Sequence, residues 1–301
     1  MLAIGLAVVA AICNAVSSVL ERRVDREQPA DAALSPRLIG RLLKRPLWLA
    51  AMAAVGLGFV AQATALGHGQ LSAVQPVLIL ELPITLVIAA RVFGNRLGRR
   101  EWAAAGAMSA GLALLIWAAA PTGGSADRTS AVGWALGTGL GVGALGACVL
   151  LGRRAREGGR AAWWGLAAGI GFGVTAALMK AMDAGFAHGL VGALTRWQTY
   201  AMVAVGAAAM FLAQNALQAG RLLAAQPALT LTDPLVAVVW GAALYGERIR
   251  TGPWLVAELA GVAAIAWGTV RLVGSDEAAS GRDEDQRDPG PDGSVSMARA
   301  S

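Results

Sequence analysis

Apolar residues occur along this chain in long stretches, each close to the length that crosses a lipid bilayer. At a rise of ~1.5 Å per residue, about 20 helical residues cover the ~30 Å hydrocarbon layer. We predict helices because an open strand edge would leave backbone amides unpaired in lipid. The pattern predicts nine spans: Leu2–Leu20, Leu47–Gly69, Leu71–Phe93, Trp102–Ala120, Ala131–Gly152, Ala161–Ala187, Trp197–Ala219, Leu222–Tyr245 and Trp254–Leu272.

The composition excludes an ordinary soluble domain. Hydrophobic residues make up 56% of the chain and charged residues 15%, whereas soluble domains carry about 25% charged residues. The predicted fold class is therefore an all-α polytopic membrane protein with about nine, that is nine or ten, transmembrane helices. The spans divide into an N-terminal half, residues 1–120, and a C-terminal half, residues 131–272, followed by a tail of residues 273–301.

Basic residues collect in the loops on one side of the predicted bundle. Seven Arg and Lys lie in Glu21–Pro46, four in Arg91–Arg100 and four in Arg153–Arg160. The positive-inside rule places these loops in the cytoplasm. We therefore expect a multi-pass protein of the cell membrane with an outside N-terminus and a cytoplasmic C-terminus. The first span has Arg22 and Arg23 after it and no basic residue before it, which indicates a retained anchor rather than a cleaved signal.

Two polar segments lie outside the predicted spans. In the basic linker 21–46, residues Asp25–Arg45 carry apolar residues at helical spacing among cations, which fits either a short helix on the inner leaflet or a plain cytoplasmic loop. The tail from Gly274 has seven acidic residues against three Arg and is predicted to be disordered. The lipid bilayer is the expected partner and a homodimer is compatible with it. Nucleic acid is excluded because the arginines lie at helix ends rather than on one soluble face.

A similar order of residues occurs twice in the chain, 151 or 152 residues apart. Many secondary transporters are built from a duplicated membrane unit and bind substrate where the two copies meet. The first copy contains Phe59, Gln62, Gln75-Pro76, Glu81, Pro83, Gly94-Asn95-Arg96-Leu97 and Trp102. The second copy contains Phe211, Gln214, Gln226-Pro227, Asp233-Pro234, Gly246-Glu247-Arg248-Ile249 and Trp254.

The two copies are predicted to run in opposite directions through the membrane. Glu81 lies on predicted span three and Asp233 on predicted span eight, and an odd number of spans separates them. Spans two to four therefore form an inverted repeat with spans seven to nine. Span one runs in the same direction as span five, so those two are not an inverted pair. Either the first half has lost one helix or the chain has a tenth span.

Two acidic side chains near the middle of spans carry the functional hypothesis. An ionisable group at the bilayer centre costs about 2.5–3.5 kcal/mol on insertion scales, so Glu81 and Asp233 are expected to face the bundle interior. A carboxylate beside free carbonyls at that depth is typical of transporter sites, and in apolar surroundings it could carry a proton. The simpler alternative is that each carboxylate only bonds a neighbouring helix. Because proline removes a helical hydrogen bond, helix breaks are predicted at Pro76, Pro83, Pro227 and Pro234.

Neutral polar residues in the same spans either line this site or join helices to one another. The amides are Gln62, Gln75, Gln214, Asn215 and Gln226. Gln75 and Gln226 are favoured as site residues because each precedes a proline. Lys180 and Asp183 are one helical turn apart, so they form a neutral pair, or Lys180 contacts a substrate carboxylate. Asn14 on span one either joins helices or contacts the ligand.

The residue pattern predicts no cofactor. Cys13 and Cys148 lie inside spans and are predicted to be packing residues, and the two histidines, in predicted outer loops, have no partner ligands for zinc. Gly141, Gly143 and Gly146 match the spacing of a dinucleotide loop, but they lie within span five and are predicted to pack helices. The series Gly165, Gly169 and Gly173 in span six is interpreted in the same way.

The second copy ends in a distinctive order: Asp233-Pro234, then Tyr245-Gly246-Glu247-Arg248-Ile249, then Trp254 at the start of a Gly/Ala-rich last helix. This order resembles the EamA-type units of the drug/metabolite transporter superfamily. The first copy is degenerate, because Gly94-Asn95-Arg96-Leu97 lacks the Glu. The basic stretch after span one and Pro46-Leu47-Trp48 are similar to the NIPA branch, which resembles magnesium transporters. The resemblance implies a ten-helix inverted repeat that moves small solutes by alternating access.

These patterns predict a secondary transporter that moves a small solute across the cytoplasmic membrane, with its site between spans three and eight. Proton-coupled export of a metabolite or drug is one form of this function. The alternative is a NIPA-like divalent cation transporter, in which Glu81 and Asp233 would bind Mg²⁺ through oxygen ligands. A non-transporting membrane scaffold or sensor is the alternative from another class. We do not expect an enzyme, because the basic loops lack the clustered acids, histidines or metal motif that a membrane enzyme needs.

Overall fold

The computed structural model of the chain describes residues 1–26, 45–94, 97–125, 129–155, 157–218 and 222–287. About 88% of the structure is helical, which confirms the predicted all-α class. The helices are α1 (Leu2–Arg26), α2 (Pro46–His68), α3 (Leu71–Val77), α4 (Glu81–Phe93), α5 (Arg99–Ala119), α6 (Ala131–Arg154), α7 (Glu157–Gly185), α8 (Gly189–Leu194), α9 (Trp197–Gln218), α10 (Leu222–Ala243) and α11 (Trp254–Arg287). Two 3₁₀ turns, Leu78–Leu80 and Phe186–His188, lie between α3 and α4 and between α7 and α8.

Eight spans among the described residues are long and apolar enough to cross a membrane. They match predicted spans one to seven and span nine, and they confirm a polytopic membrane protein. Predicted span eight corresponds to α10, which is 22 residues long but is not one of the eight. Its sequence is as apolar as that of the other spans, and Asp233 is the one charged residue among residues 222–243.

Helix α7 lies at the centre of the bundle and is the most deeply buried of the eight spans. It packs along α6, α9 and α10 and also contacts α2. Helix α1 packs along α2 and against α4, and α5 packs along α11. Buried side chains of α1, α2, α3, α7 and α10 form one continuous apolar core.

Glycines on one face of α7 allow α10 to approach closely. A Cβ placed on Gly169 would lie 2.8 Å from the carbonyl oxygen of Leu229, and one on Gly173 would lie 2.9 Å from that of Asp233. Gly165 makes the same kind of contact with Ala225, at 2.6 Å. The packing role predicted for the span-six glycines is therefore confirmed.

The glycines of α6 follow the prediction only in part. A Cβ on Gly141 would lie 3.0 Å from Val174 and 3.2 Å from Trp240, so this glycine does pack. Nothing lies within 4 Å of a Cβ placed on Gly143 or Gly146, and the packing prediction is wrong for both. The face that meets α10 repeats every four residues and contains Gly133, Gly137 and Gly141, so the other two glycines point elsewhere.

Helices α5 and α11 cross at a pair of glycines. A Cβ on Gly111 would lie 2.7 Å from the carbonyl oxygen of Gly261, and the reverse contact has the same length. We expect Gly111→Val to lower the free energy of unfolding by about 1–3 kcal/mol, the usual cost of forcing extra atoms into a packed interface. The matched control is Gly139→Val on α6, where nothing lies within 4 Å. Detergent unfolding titrations measure both, and equal losses would contradict the predicted contact.

Two short strands add a feature that the all-α prediction did not include. Strands β1 (Thr122–Gly123) and β2 (Glu247–Arg248) pair antiparallel, with Gly123 opposite Glu247. We call the end of the bundle that carries these strands and the α2–α3 turn the strand end. The opposite end, with Arg91, Arg99 and Arg153, is called the basic end.

Beyond the last span, α11 continues to Arg287. This differs from the disorder predicted for the acidic tail, because residues added to an existing helix avoid the cost of nucleation and the segment includes helix-forming Ala and Glu. Residues 288–301 lie outside the described residues. The predicted interfacial helix or loop of residues 25–45 also lies almost wholly outside them.

Candidate functional site

Predicted span three changes its helical geometry near its middle. Helix α3 ends at Val77, a 3₁₀ turn follows, and α4 begins at Glu81. Pro76, in the last turn of α3, has no N–H to continue the helical ladder. The break predicted at Pro76 is therefore confirmed. Pro83 breaks nothing, because it lies in the first turn of α4, where proline is tolerated.

Helix α10 remains one continuous helix through both of its prolines. The breaks predicted at Pro227 and Pro234 are therefore wrong. Each proline removes one hydrogen bond, but α10 lies along the glycine face of α7 on both sides of Asp233. Close packing of the two backbones holds the helix together where the ladder is interrupted.

Asp233 and Gln75 form a hydrogen-bonded pair between the two halves of the chain. Gln75 Nε2 donates to Oδ1 of Asp233 at 3.0 Å and to Oδ2 at 3.2 Å. The Gln75 side chain is buried, and its Oε1 has no hydrogen-bond partner among the described residues. The Asp233 carboxyl and the unpaired Gln75 Oε1 thus lie together, and both accept hydrogen bonds. Gln75 Oε1 has no donor among the described residues, so the pair is suited to bind a proton, a cation or an N–H group.

Glu81 is bonded separately, to helix α1. Ser18 Oγ donates to Glu81 Oε1 at 3.5 Å, and the side chain of Asn14 also hydrogen-bonds this carboxylate. Asn14 lies against Gly58 of α2, where an added Cβ would approach its Oδ1 to 2.6 Å. Asn14 therefore contacts both α2 and the Glu81 carboxylate.

Neither midplane carboxylate has a basic partner within the part of the chain that the structure describes. Asp233 is bonded by a side-chain amide, and Glu81 by an amide and a hydroxyl. Their partners lie on different helices, α3 and α1, so the structure does not join the two acids at one point. Among the described residues, no group of three or more His, Cys, Asp or Glu side chains could hold a metal ion.

The predicted pairing of Lys180 with Asp183 is wrong. Lys180 Nζ lies 3.0 Å from Glu247 Oε1 and donates to the carbonyl oxygen of Gly69 at 2.6 Å. Asp183 instead lies against Gly67, where an added Cβ would collide with its carboxyl group. A neighbour three residues away on a helix contributes only about 0.2–0.5 kcal/mol, so a buried carboxylate in the right position can replace it.

Glu247 is the most completely bonded acidic side chain at the strand end. It is fully buried and accepts hydrogen bonds from the backbone N–H of Leu71 at 2.6 Å and of Ser72 at 3.0 Å. The hydroxyl of Ser72 donates to the same carboxylate at 2.5 Å, and Lys180 supplies the opposite charge. The negative carboxylate also interacts favourably with the first amides of α3.

Three glycines shape the space that Glu247 occupies. Gly246 has φ 68°, which lets the chain turn from α10 into β2. A Cβ on Gly124 would lie 2.5 Å from Glu247 Cγ, and one on Gly241 would lie 2.9 Å from its Cδ. Tyr245 closes the other side, with its ring 5.5 Å from Lys180 Nζ and its hydroxyl bonded to the Ala177 carbonyl oxygen.

The remaining predicted amides lie away from these contacts. Gln214 is exposed on α9. Asn215 donates to the carbonyl oxygen of Phe211 on its own helix at 2.7 Å, so it does not reach the site either. Both residues lie on a helix whose inner face is lined by small alanines. Gln62 and Gln226 are partly buried, and the described structure gives neither of them a hydrogen bond to Glu81 or Asp233.

Sequence reasoning missed the residues that complete these contacts. Glu247 and Tyr245 entered only as parts of a sequence motif, and Ser18 and Ser72 were not considered. A signal existed for Glu247, because the only acid of the repeated Gly-x-Arg turn occurs in the second copy, where Asn95 stands in the first. No pattern along the chain pointed to Ser72, whose partner lies 175 residues away.

Comparison with known proteins gives one informative relative. The chain is 30% identical over 259 residues to an uncharacterised protein of Corynebacterium glutamicum. The similarity covers 84% of this chain and 88% of that protein, so it extends over both halves. No protein-family model matches the chain, and no solved structure is significantly similar to it.

Proposed function

We propose that this chain, which belongs to the same family as the uncharacterised Corynebacterium glutamicum protein, is a secondary transporter that moves a small solute across the cell membrane by alternating access. The substrate site of this proposal is the region between α3, α4 and α10. One observation carries it: two partly buried carboxylates in membrane helices have only neutral partners among the described residues. Such groups are costly in lipid and are retained where a proton, ion or substrate uses them.

The packing of the helices supports the inverted repeat that this mechanism needs. Helix α1 packs on α2 and α4 in the way that α7 packs on α9 and α10. If α1 is the counterpart of α7, the two are five predicted spans apart and run in opposite directions. Helix α6 is then the one without a counterpart, which accounts for a first half that is one helix shorter than the second. The fold would then be a ten-helix inverted repeat in which the first half has lost one helix.

Membership of the drug/metabolite transporter superfamily is part of the proposal. The order Asp233-Pro234, Gly246-Glu247-Arg248-Ile249 and Trp254 is the sequence support for it. Contacts between equivalent elements add to it, because α3 crosses α10 and α5 packs along α11. The basic loops place the basic end in the cytoplasm and the strand end outside.

The separate bonding of the two acids favours a singly charged species over Mg²⁺. Magnesium requires several oxygen ligands directed at one point. Glu81 and Asp233 have their hydrogen-bond partners on different helices, and each could neutralise one positive charge alone. A proton that couples transport, or a solute with one ammonium group, fits this arrangement. The divalent-cation alternative predicts instead that the wild-type protein takes up Mg²⁺.

Purified protein in liposomes tests the proposal. Trapped pyranine measures proton flux, a Mg²⁺ indicator measures the divalent alternative, and counterflow of radiolabelled amino acids, nucleosides and polyamines measures solute exchange. We expect wild-type protein to move protons together with at least one solute, and Glu81→Gln/Asp233→Asn to lose both fluxes. The control is Glu101→Gln, at the start of α5 and away from both acids. A wild-type protein that moves no solute or ion would favour the scaffold or sensor alternative.

A further inference from the structure

The two halves of the chain are tied together at the strand end by buried charges. We propose that this contact is the gate that closes the strand end of the transporter. We call it the strand-end lock and define it as Glu247 and Lys180 with their partners Ser72 and the Gly69 carbonyl oxygen. The inference rests on the proposed function, because a gate has meaning only in a protein that alternates between two openings.

The lock joins the two halves of the chain, which must move apart when the transporter opens at the strand end. Gly69 and Ser72 belong to the N-terminal half, whereas Lys180 and Glu247 belong to the C-terminal half. Ser72 and Gln75 are three residues apart on α3, which is ~4.5 Å along the helix axis. A path from the strand end to the Asp233–Gln75 pair must therefore pass the lock.

The chemistry of the lock suits a contact that breaks and reforms. The Glu247 side chain is 0% exposed and that of Lys180 is 8% exposed, so both charges lose their water. Desolvation of both ions offsets much of the attraction inside such a pair, so its net contribution to stability is smaller than the attraction alone. When the lock opens, water solvates both charged groups again, which recovers the hydration free energy that they lost on burial. An apolar contact that opened would expose its surface to water without any such gain in hydration free energy.

The equivalent helix pairs of the two halves are packed differently. Helix α10 packs along α11, whereas α4 and α5 diverge and leave a cleft of about 350 Å³ between them. The cleft extends from Leu80, next to Glu81, towards Trp102 near the basic end. In an inverted repeat, exchange of these two packings converts an opening on one side into an opening on the other.

Polar side chains of α1 also connect Glu81 to the basic end. Ser18 bonds Glu81, and Ser17 one residue earlier bonds Glu21, which is exposed. Glu21 is also close enough to Glu81 to repel its charge. The structure thus combines a closed strand end with a polar route from Glu81 to the other side.

Thiol labelling tests the gate without any knowledge of the solute. In a background with Cys13→Ala and Cys148→Ala, Val74→Cys reports on the strand end, because Val74 is 0% exposed just below the lock. Ser18→Cys reports on the basic end. A membrane-impermeant maleimide is applied to intact cells and to inside-out vesicles. The lock is opened by Lys180→Met/Glu247→Gln, which removes both charges together.

A second variant opens the lock and keeps every charge. Gly241→Ala places a methyl group against the Glu247 carboxyl, and Gly241 lies inside α10, where alanine is otherwise well tolerated. Its matched control is Gly139→Ala, where the added methyl meets open space. If one variant fails to fold, the other still decides the outcome.

Alternating access predicts opposite changes at the two reporters. Loss of one charge-assisted contact corresponds to about a ten-fold shift of a two-state equilibrium. We expect labelling of Val74→Cys from outside to rise by about that factor while labelling of Ser18→Cys from inside falls. A rise at both reporters would mean that the lock only holds the fold together, and unchanged labelling at both would also overturn the gate.

The labelling and flux measurements together distinguish a failure of the gate from a failure of the proposed transport function. Opposite changes in labelling, combined with no flux of any solute in liposomes, would support the gate and reject the transport proposal. Flux in the liposomes without opposite changes would support transport and reject the gate.

Discussion

Asp233→Asn is expected to abolish coupled flux in liposomes while the protein remains folded. Asparagine keeps the shape of the side chain and can still bond Gln75, but it carries no charge and releases no proton. A hydrogen bond to a charged group contributes about 1.5–3 kcal/mol, so the affinity for a cation or a donated proton should fall by about 10- to 150-fold. The initial rate of pyranine quenching measures the loss.

The control for this prediction is Thr230→Val, one turn before Asp233 on the same helix. Thr230 is buried on the same helix, and the isosteric change removes a polar group without removing charge. We expect this variant to retain most of the flux, and Glu81→Gln to lose less than Asp233→Asn because two neutral donors already bond Glu81. Wild-type flux in Asp233→Asn would remove the basis of the proposed site.

Hydropathy was sufficient to predict most of the helices. Stretches of about 20 apolar residues have few alternatives in lipid, and eight of the nine predicted spans meet the same criterion in the structure. Span eight is present as helix α10, in which Asp233 bonds Gln75 of the other half. Hydropathy did not distinguish the candidate site, because a single acid changes the mean of a 22-residue apolar helix only slightly.

The effects of the prolines depended on their surroundings. Pro76 and Pro227 each follow a glutamine at equivalent places in the two copies, yet only the first lies at a break. The difference comes from the neighbouring helix, because α10 is supported by the glycine face of α7. A local rule for proline contains no information about that neighbour.

The partners of the charged residues could not be predicted from spacing along the chain. Lys180 and Glu247 are 67 residues apart, and the position of Glu247 depends on a two-residue strand pairing with Gly123. The i,i+3 rule pointed to Asp183, which is nearer in sequence but faces Gly67. Long-range contacts of this kind depend on the rotation of each helix about its axis, and hydrophobic periodicity is weak in spans that are apolar on every side.

Single removal of either lock charge is expected to be more damaging than removal of both. Glu247→Met leaves the Lys180 ammonium buried with only the Gly69 carbonyl and the Tyr245 ring beside it. Loss of one partner of a buried pair costs about 3–5 kcal/mol, mainly because the other charge stays desolvated. Lys180→Met should cost less, because three donors from Leu71 and Ser72 still bond Glu247.

The double variant Lys180→Met/Glu247→Met shows whether the two charges stabilise the fold through each other or independently. Replacement of both charges by apolar side chains of similar volume is often neutral or stabilising, so its effect should be clearly smaller than the sum of the two single effects. Equilibrium unfolding by SDS in mixed micelles measures all three variants against wild type. If the double variant loses as much as the sum, the two charges stabilise the bundle independently. A gate also requires a lock that the folded bundle can open, so the separate variant Lys180→Met/Glu247→Gln must still fold while Val74→Cys becomes accessible from the strand end.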